Sequence, residues 1–383
     1  MESPRVLIAD DQAHVLEALQ LLLKNEGFTP ETASSPAAVI EAVQDRSFDV
    51  LLLDMNYSRD TTSGDEGLEL LSRIREVDSV LPVVLMTAMG SVDLAVSAMQ
   101  SGGRDFVQKP WDNGKLLGSL RRHIEEGRLL RRKKEELKRA ERLILDVHDA
   151  REIQQRLLPG KLPQLSGFKL HGSSHPANEV GGDYFDGIRL TETSVALCIG
   201  DVAGKGLPAA LLMSNIQASV RGFSHETASP ARICRQLNRA VLENMQSERL
   251  VTLFYAVLDS TERSLRYSNA GHLPPILLRN DGSTCRLSEG GTVLGVIPDA
   301  VYQEGQTTFT PGDRLVLVTD GITEAMNAQG EEFGEDRLID VLRENHERSG
   351  LDLQQIVFDR VLSFTGQPLQ DDATMMIISA SRA

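Results

Sequence analysis

Between Lys115 and Leu158 the chain has no proline and only two glycines, Gly118 and Gly127. A run of about 40 residues without a loop signal exceeds the usual helix inside one globular domain. Pro159 then stops it, because the residue before a proline is driven out of the α region. The 383 residues are therefore expected as two bodies with a long helix between them, and each half is long enough to bury its own core. The boundaries read as 1–124, 125–158 and 159–383. The charge follows the same division: the net of −15 splits into −8, +2 and −9 over those three segments.

The helix is rich in Leu, Arg, Lys and Glu. Leu130, Leu137, Ile144 and Leu158 share one heptad position, interrupted by Arg151. The intervening seam positions Lys134, Glu141 and His148 are polar, which makes a weak coiled coil and predicts loose pairing with a second copy. Arg128 to Arg142 holds eight basic and three acidic residues. A solvated helix face is the bland reading of that run, and contact with an acidic surface of the same protein is the alternative. The acidic total argues against nucleic-acid binding, which needs clustered cations, and no helix-turn-helix pattern accompanies the basic run. No apolar run approaches the roughly 18 residues of a membrane span. The N-terminus runs directly into a strand pattern, without a signal peptide. Three well-separated cysteines, Cys198, Cys234 and Cys285, fit reduced thiols in a cytoplasmic protein.

In the first 120 residues, short apolar runs alternate with helical patterns. Val6 to Ala9 ends in Asp10-Asp11, Phe48 to Leu53 in Asp54, Leu81 to Met86 in Thr87-Ala88, and Phe106-Val107 near Lys109-Pro110. Such alternation predicts an α/β doubly wound parallel sheet, whose ligands sit beyond the C-terminal strand ends. Three acids, a hydroxyl and a lysine would converge there. Clustered carboxylates call for a cation, and Mg²⁺ suits oxygen ligands. Asp54 could then accept a phosphoryl group, with Lys109 and Thr87 contacting its oxygens. Helix capping by Asp10 and Asp11 is the structural alternative.

This segment resembles the receiver domain of bacterial two-component response regulators, through Asp10-Asp11, Asp54, Thr87-Ala88 and Lys109-Pro110. The resemblance implies five strands, phosphotransfer from a sensor histidine kinase to Asp54, and Mg²⁺ held by Asp10, Asp11, Asp54 and the main chain of Asn56. Phe106 would occupy the aromatic-switch position coupled to Thr87. The stretch Met55 to Glu66 is longer than the usual form of that loop and lacks its Met-Pro.

Past Pro159, strand patterns dominate, joined by turns such as Asn280-Asp281-Gly282. They predict an α+β antiparallel β-sandwich flanked by helices. The run Val195 to Ile199 breaks at Gly200, presents Asp201, crosses to Gly206 and opens a helix. A nucleotide P-loop is excluded: it needs four residues between its glycines and Ser or Thr after the lysine, whereas three lie between Gly200 and Gly204 and Gly206 follows Lys205. Asp201 instead reads as a metal ligand. Asp183, Asp320 and Asp371 stand in similar surroundings, beside glycine or a second acid. Any one Asp-Gly is usually a turn. Four acids at strand ends, without matching His or Cys, indicate Mg²⁺ or Mn²⁺, and suit two ions about 3.5–4 Å apart that activate a water for attack on phosphorus.

Gly181-Gly182-Asp183-Tyr184, Gly200-Asp201-Val202, Asn269-Ala270-Gly271-His272, Thr319-Asp320-Gly321 and Asp371-Asp372-Ala373-Thr374 together resemble the metal-dependent, protein phosphatase 2C-like family, in particular its bacterial serine phosphatases of stress-response and sporulation pathways. The resemblance implies two Mn²⁺ or Mg²⁺ bridged by Asp183 and Asp201, with the Val202 carbonyl, Asp320 and Asp371 completing the set. Asp372 ranks below Asp371 as a ligand, and His272 reads as structural rather than as an acid. The expected function is a serine/threonine phosphatase under the control of Asp54. Its expected substrate is a phosphorylated anti-sigma-factor antagonist, and a homodimer would form through the linker. The rival readings are a non-enzymatic phosphoprotein-binding adaptor and a DNA-binding regulator.

Overall fold

The computed structural model describes residues 3–57, 65–87, 92–225, 227, 229–244 and 250–381. Ala88 and most of the long loop after Met55 lie outside the described residues. Two compact units divide between Arg142 and Leu143.

The first unit contains β1 (Arg5–Ala9), α1 (Ala13–Asn25), β2 (Thr29–Ala33), α2 (Pro36–Asp45), β3 (Val50–Asp54), α3 (Asp65–Val77), β4 (Val83–Thr87), α4 (Val92–Gln100), β5 (Asp105–Gln108) and the start of α5 (Asn113–Leu157). Its sheet is parallel throughout, in the order β2-β1-β3-β4-β5. Side chains alternate across each strand. Leu7, Ala9, Leu51 and Leu53 face the core under α2 and α3, while Val6, Ile8, Val50 and Leu52 face α1 and α5. Burial on both faces explains why these strands read as continuous apolar runs. β2 gave no such signal: its sequence Thr-Pro-Glu-Thr-Ala belongs to an edge strand, where a proline without N–H is tolerated.

α5 is one continuous helix of 45 residues. Its first turns bury Leu116, Leu117, Leu120 and Ile124 against the sheet. Gly127 marks a close approach: a Cβ there would come within 2.5 Å of Pro82. The solvated-face reading holds for six of the eight basic residues of the run, which are exposed, and fails for Arg128 and Arg131. Arg128 bonds Asp49 at 2.7 Å and Arg131 bonds Asp78 at 2.7 Å, so an acidic surface of the first unit takes part of the run. Leu130, Leu137 and Ile144 are exposed.

The second unit continues with β6 (Phe168–His175), β7 (Tyr184–Arg189), β8 (Ser194–Val202), α6 (Leu207–Ser224), α7 (Pro230–Asn244), β9 (Val251–Asp259), β10 (Ser264–Ala270), β11 (Ile276–Leu278), β12 (Thr284–Arg286), β13 (Gly290–Gly291), β14 (Gly305–Thr308), β15 (Arg314–Val318), α8 (Asp320–Thr323), α9 (Gly334–Glu344), α10 (Gly350–Thr365) and β16 (Ala373–Ala380). One sheet runs β13-β10-β9-β8-β7 with β14 also on β10; the other runs β12-β11-β15-β16-β6. All pairings are antiparallel except β10 with β13.

The sheets share an inner core of Leu197, Ile199, Phe254, Leu315, Leu317, Met376 and Ile378. The other face of β8, with Ala196, Cys198 and Val202, meets α6 and α7 through Leu212, Met213, Ile216 and Leu237. Val316, Val318, Met375 and Ile377 meet α9 and α10 on the far side. The result is a four-layer sandwich. One local expectation changes: β8 does not end at Gly200 but runs on through Asp201 to Val202.

Candidate active site

In the first unit, the parallel strands deliver their polar ends to one edge. Asp10 follows β1, Asp54 ends β3, Thr87 ends β4 and Lys109 follows β5. Carboxylate oxygens of Asp10, Asp11 and Asp54 all lie within 4.8 Å of one another. The Lys109 ammonium is 2.6 Å from Asp10 and 3.1 Å from Asp54. Asp10 Oδ1 also accepts the Gln12 N–H at 2.9 Å, so one oxygen serves the start of α1 while the other, Oδ2, meets Lys109. Burial raises the pKa of Asp54, and the Lys109 charge opposes that. Thr87 is buried, whereas Phe106 is 51% exposed. The acids fit a divalent cation on the chemistry of the set: three hard oxygen donors face one ammonium. Tyr57 had no sequence signal. Its ring is buried, its hydroxyl has no hydrogen-bond partner among the described residues, and burial followed by the charge of Asp54 raises its pKa.

In the second unit, both sheets contribute to one edge. Tyr184 pairs with Gly200, so Asp183 and Asp201 are next along the ladder. Val318 pairs with Met375, and beyond them stand Asp320, which opens α8, and Asp371, in the turn before β16. Thr319 bridges the two sheets. Its hydroxyl donates to Asp183 at 2.8 Å and accepts the Thr374 N–H at 2.9 Å. Asp372 does a separate job from its neighbour: it is buried and accepts the N–H groups of Ala177 at 2.8 Å and Gly182 at 2.7 Å. Gly182 in turn lets the Val202 carbonyl approach, since a Cβ there would lie 2.7 Å from that oxygen.

The electrostatics follow from this crowding. Burial raises the pKa of Asp201 to about 7, helped by Asp320, Asp371 and Asp372. Burial, then the charge of Asp201, raises Asp183 well above the carboxylate range. Burial, then Asp371, raises Asp320. No three of these acids have oxygens all within 4.8 Å, so the set is spread along the edge rather than drawn around one point. The Lys205 ammonium sits 3.0 Å from Asp371 and 2.6 Å from the Gln370 carbonyl. A cleft of about 160 Å³ is lined there by Lys205, Asp320, Glu324 and Asp371. Carboxylates that hold each other's protons on are a donor set that a divalent cation relieves, so the residues fit the group.

His272 is outside this chemistry. It is buried, its Nδ1 lies 2.9 Å from the Thr252 hydroxyl, and burial lowers its pKa to about 4. Asn269 closes the turn, accepting the His272 N–H at 2.8 Å and donating to its carbonyl at 2.9 Å. Sequence reasoning gave no role to Thr319 or to the bonds made by Asp372. Both act on partners 136 and 190 residues away.

Comparison with known proteins finds a family for each unit. The model of the stage II sporulation protein E family matches residues 191–381, and that of the response regulator receiver domain matches 6–121. The phosphoserine phosphatase RsbU of Bacillus subtilis is 31% identical over 235 residues, covering 61% of this chain and 69% of RsbU. Protein IcfG of Synechocystis is 30% identical over 261 residues, covering 61% of this chain but only 41% of IcfG. Among solved structures, the SiaA-PP2C domain of Pseudomonas aeruginosa aligns with a TM-score of 0.55 at 22% identity, covering 63% of this chain and 98% of that domain, a likeness of fold. The chain belongs to the bacterial PP2C-type phosphatases of the stage II sporulation protein E family, with a response-regulator receiver domain at its N-terminal end. Among the described residues no helix is long and apolar enough to cross a membrane.

Proposed function

We propose that this protein is a metal-dependent protein serine/threonine phosphatase controlled by phosphorylation of Asp54. The observation that carries the reading is the acid edge, where two sheets line up Asp183, Asp201, Asp320 and Asp371, and burial followed by the neighbouring carboxylates raises Asp201 to about 7. Those four residues and the Val202 carbonyl would hold two Mn²⁺ or Mg²⁺, which when bound supply the activation of water for attack on a phosphate ester. Asp183 is oriented by Thr319, and Asp372 keeps the Gly181-Gly182 turn closed beside it. In the receiver, Asp10, Asp11, Asp54 and the main chain of Asn56 would hold Mg²⁺, with Lys109 and Thr87 set to meet the phosphoryl oxygens.

Control by the receiver is supported at the far end of α5. The Gln154 amide donates to the Gly181 carbonyl at 2.7 Å and accepts the Gly181 N–H at 3.0 Å. Gln217 of α6 donates to the Leu157 carbonyl at 3.2 Å. The last turns of the helix thus bond to the Gly181-Gly182 turn that leads into Asp183 and to α6, the helix that follows the Asp201 corner. A sensor histidine kinase would supply the phosphoryl group. The substrate would be a phosphorylated anti-sigma-factor antagonist, in keeping with the likeness to RsbU. Residues 125–158 would serve as linker, and their exposed Leu130, Leu137 and Ile144 would pair two copies of the chain in the cytoplasm.

The test is hydrolysis of a phosphoserine protein with Mn²⁺, before and after acetyl phosphate treatment. Asp201→Ala and Asp320→Ala should each abolish turnover, and Asp54→Asn should remove the response to acetyl phosphate. Unchanged rates in the first two variants would refute the assignment of the site. Light scattering that shows a monomer in both phosphorylation states would refute the pairing.

A further inference from the structure

Exposed apolar side chains scattered singly over a surface are ordinary. Three in the second unit are not scattered. Asp201 pairs with Thr252 of β9, and cross-strand partners point to one face. That face is the inner one, which further along carries Ile199 and Phe254. Leu250 lies two residues before Thr252. Its carbonyl accepts the Ala203 N–H at 2.9 Å, so the ladder runs on by one rung. Alternation along the strand then turns the Leu250 side chain to the side of Asp201, where it is 43% exposed. Leu273 follows His272, whose Nδ1 meets the Thr252 hydroxyl at 2.9 Å, and it too is exposed. Met326 accompanies the acids of the other sheet. With Asp320, Glu324 and Asp371 it lines the cleft of about 160 Å³, and it is 42% exposed.

Their position decides what covers these groups. A phosphate ester that reaches the acids arrives at the edge where both sheets end. When the ester belongs to a protein, the surface around its phosphoserine comes to lie over Leu250, Leu273 and Met326. Charge gives little with which to choose that partner. Two divalent ions would neutralise the four carboxylates that hold them, and the Lys205 ammonium is taken by Asp371 at 3.0 Å. Apolar burial remains as the source of affinity, and it is non-directional, so it suits a protein surface better than a small polar ester.

We infer that Leu250, Leu273 and Met326 form a docking collar for a protein segment whose phosphoserine is flanked by apolar side chains. The inference rests on the reading of the acid edge as a phosphatase site. Its test uses the full chain with Mn²⁺, as wild type, Leu250→Gln, Leu273→Gln and the double variant. The probes are p-nitrophenyl phosphate and three synthetic phosphoserine peptides of equal length, flanked by Leu and Val, by Ser and Gly, or by Lys. Wild type should favour the Leu/Val peptide over the Ser/Gly peptide in kcat/KM by about tenfold or more, the scale of burying one leucine side chain. The double variant should lose most of that preference through a higher KM, with its rate on p-nitrophenyl phosphate unchanged. A wild type without the preference, or a double variant that keeps it, would overturn the inference. So would an equal fall on p-nitrophenyl phosphate, which would make the two leucines part of the site's framework. A wild type that favours the Lys peptide, with a preference that fades as salt is added, would overturn it in favour of docking by charge. If the double variant does not fold, Leu250→Gln with the wild-type preference would overturn it instead. A wild type that hydrolyses none of the four probes would count against the phosphatase site itself. Fluorescence anisotropy of the labelled peptides on the metal-free chain would then still decide the collar: tighter binding of the Leu/Val peptide, lost in Leu250→Gln, supports it, and equal binding of the Leu/Val and Ser/Gly peptides overturns it.

Discussion

Thr319→Val tests the bond that joins the two sheets. The change keeps the shape of the side chain and removes one hydroxyl from a fully buried position. Two consequences follow. The Thr374 N–H, which gives its hydrogen bond to that hydroxyl at 2.9 Å, is left buried and unpaired, at a cost of about 1–3 kcal/mol. Asp183 loses the 2.8 Å bond that orients it, worth about 1 kcal/mol or more. Together the loss should be about 3 kcal/mol, or roughly 6–12 °C for a body of this size. Thr319→Ser keeps the hydroxyl and gives up one methyl, about 1 kcal/mol. The assay is calorimetric melting of the full chain without metal, followed by Mn²⁺ titration of phosphatase activity. Val should melt well below Ser and need more Mn²⁺ for half-maximal rate. If Val and Ser melt within about 2 °C of each other, the hydroxyl is not the link between the sheets and the reasoning fails.

Three further outcomes are expected. His272 has its pKa lowered by burial to about 4, below the usual 6.5, so the unfolded chain binds the proton more tightly. Its contribution to stability is then complete above pH 6.5 and falls as pH drops toward 4, by about 2 kcal/mol between pH 7 and pH 5; because the raised acids act in the opposite sense, the loss is read as the change with pH in the difference between the urea midpoints of wild type and His272→Asn. Lys205→Met should leave stability nearly unchanged, because the pair with Asp371 is half exposed and such pairs contribute about 0–1 kcal/mol. With a like charge removed from the edge, Mn²⁺ should bind a few-fold tighter by calorimetry, and weaker binding would contradict the placement. Gln154→Leu removes two hydrogen bonds of about 1 kcal/mol each. The ratio of phosphatase rates with and without phosphorylated Asp54 should move toward one, and a preserved ratio would exclude this contact as the coupling.

The parts of this molecule that announce themselves in sequence are those whose cause is local. β8 stands out because both of its faces are buried, which leaves an unbroken apolar run from Val195 to Ile199. α5 stands out because nothing in it can turn the chain. The four acids stand out by their glycine and acid neighbours. β2, β12 and β13 do not: an edge strand, a three-residue strand and a Gly-Gly pair owe their conformation to the partners they meet. The continuation of β8 through Gly200 and Asp201 is of the same kind, since Thr252 and Val251 of β9 hold it in the ladder. The resemblance ranked Asp371 above Asp372 as a ligand, but what Asp372 does instead could not be read from two identical letters. The division arises because one carboxylate is exposed in a turn and the other meets main-chain N–H groups nearly 200 residues away in sequence. The docking of Arg128 and Arg131 was obscured for a related reason, because Asp49 and Asp78 lie in separate loops.

The acid edge has a mechanical side. Asp183 and Asp201 belong to one sheet, Asp320 and Asp371 to the other. An ion shared among them would act as a rivet through the open end of the sandwich as well as a reagent. At a hundred times its dissociation constant, a ligand bound only by the folded form adds about 2.7 kcal/mol, comparable with the whole contribution of the Thr319 bridge. Chelation should therefore loosen the fold as well as stop turnover. A cell short of divalent cations would then lose this phosphatase half to proteolysis sooner than keep it as an idle reserve.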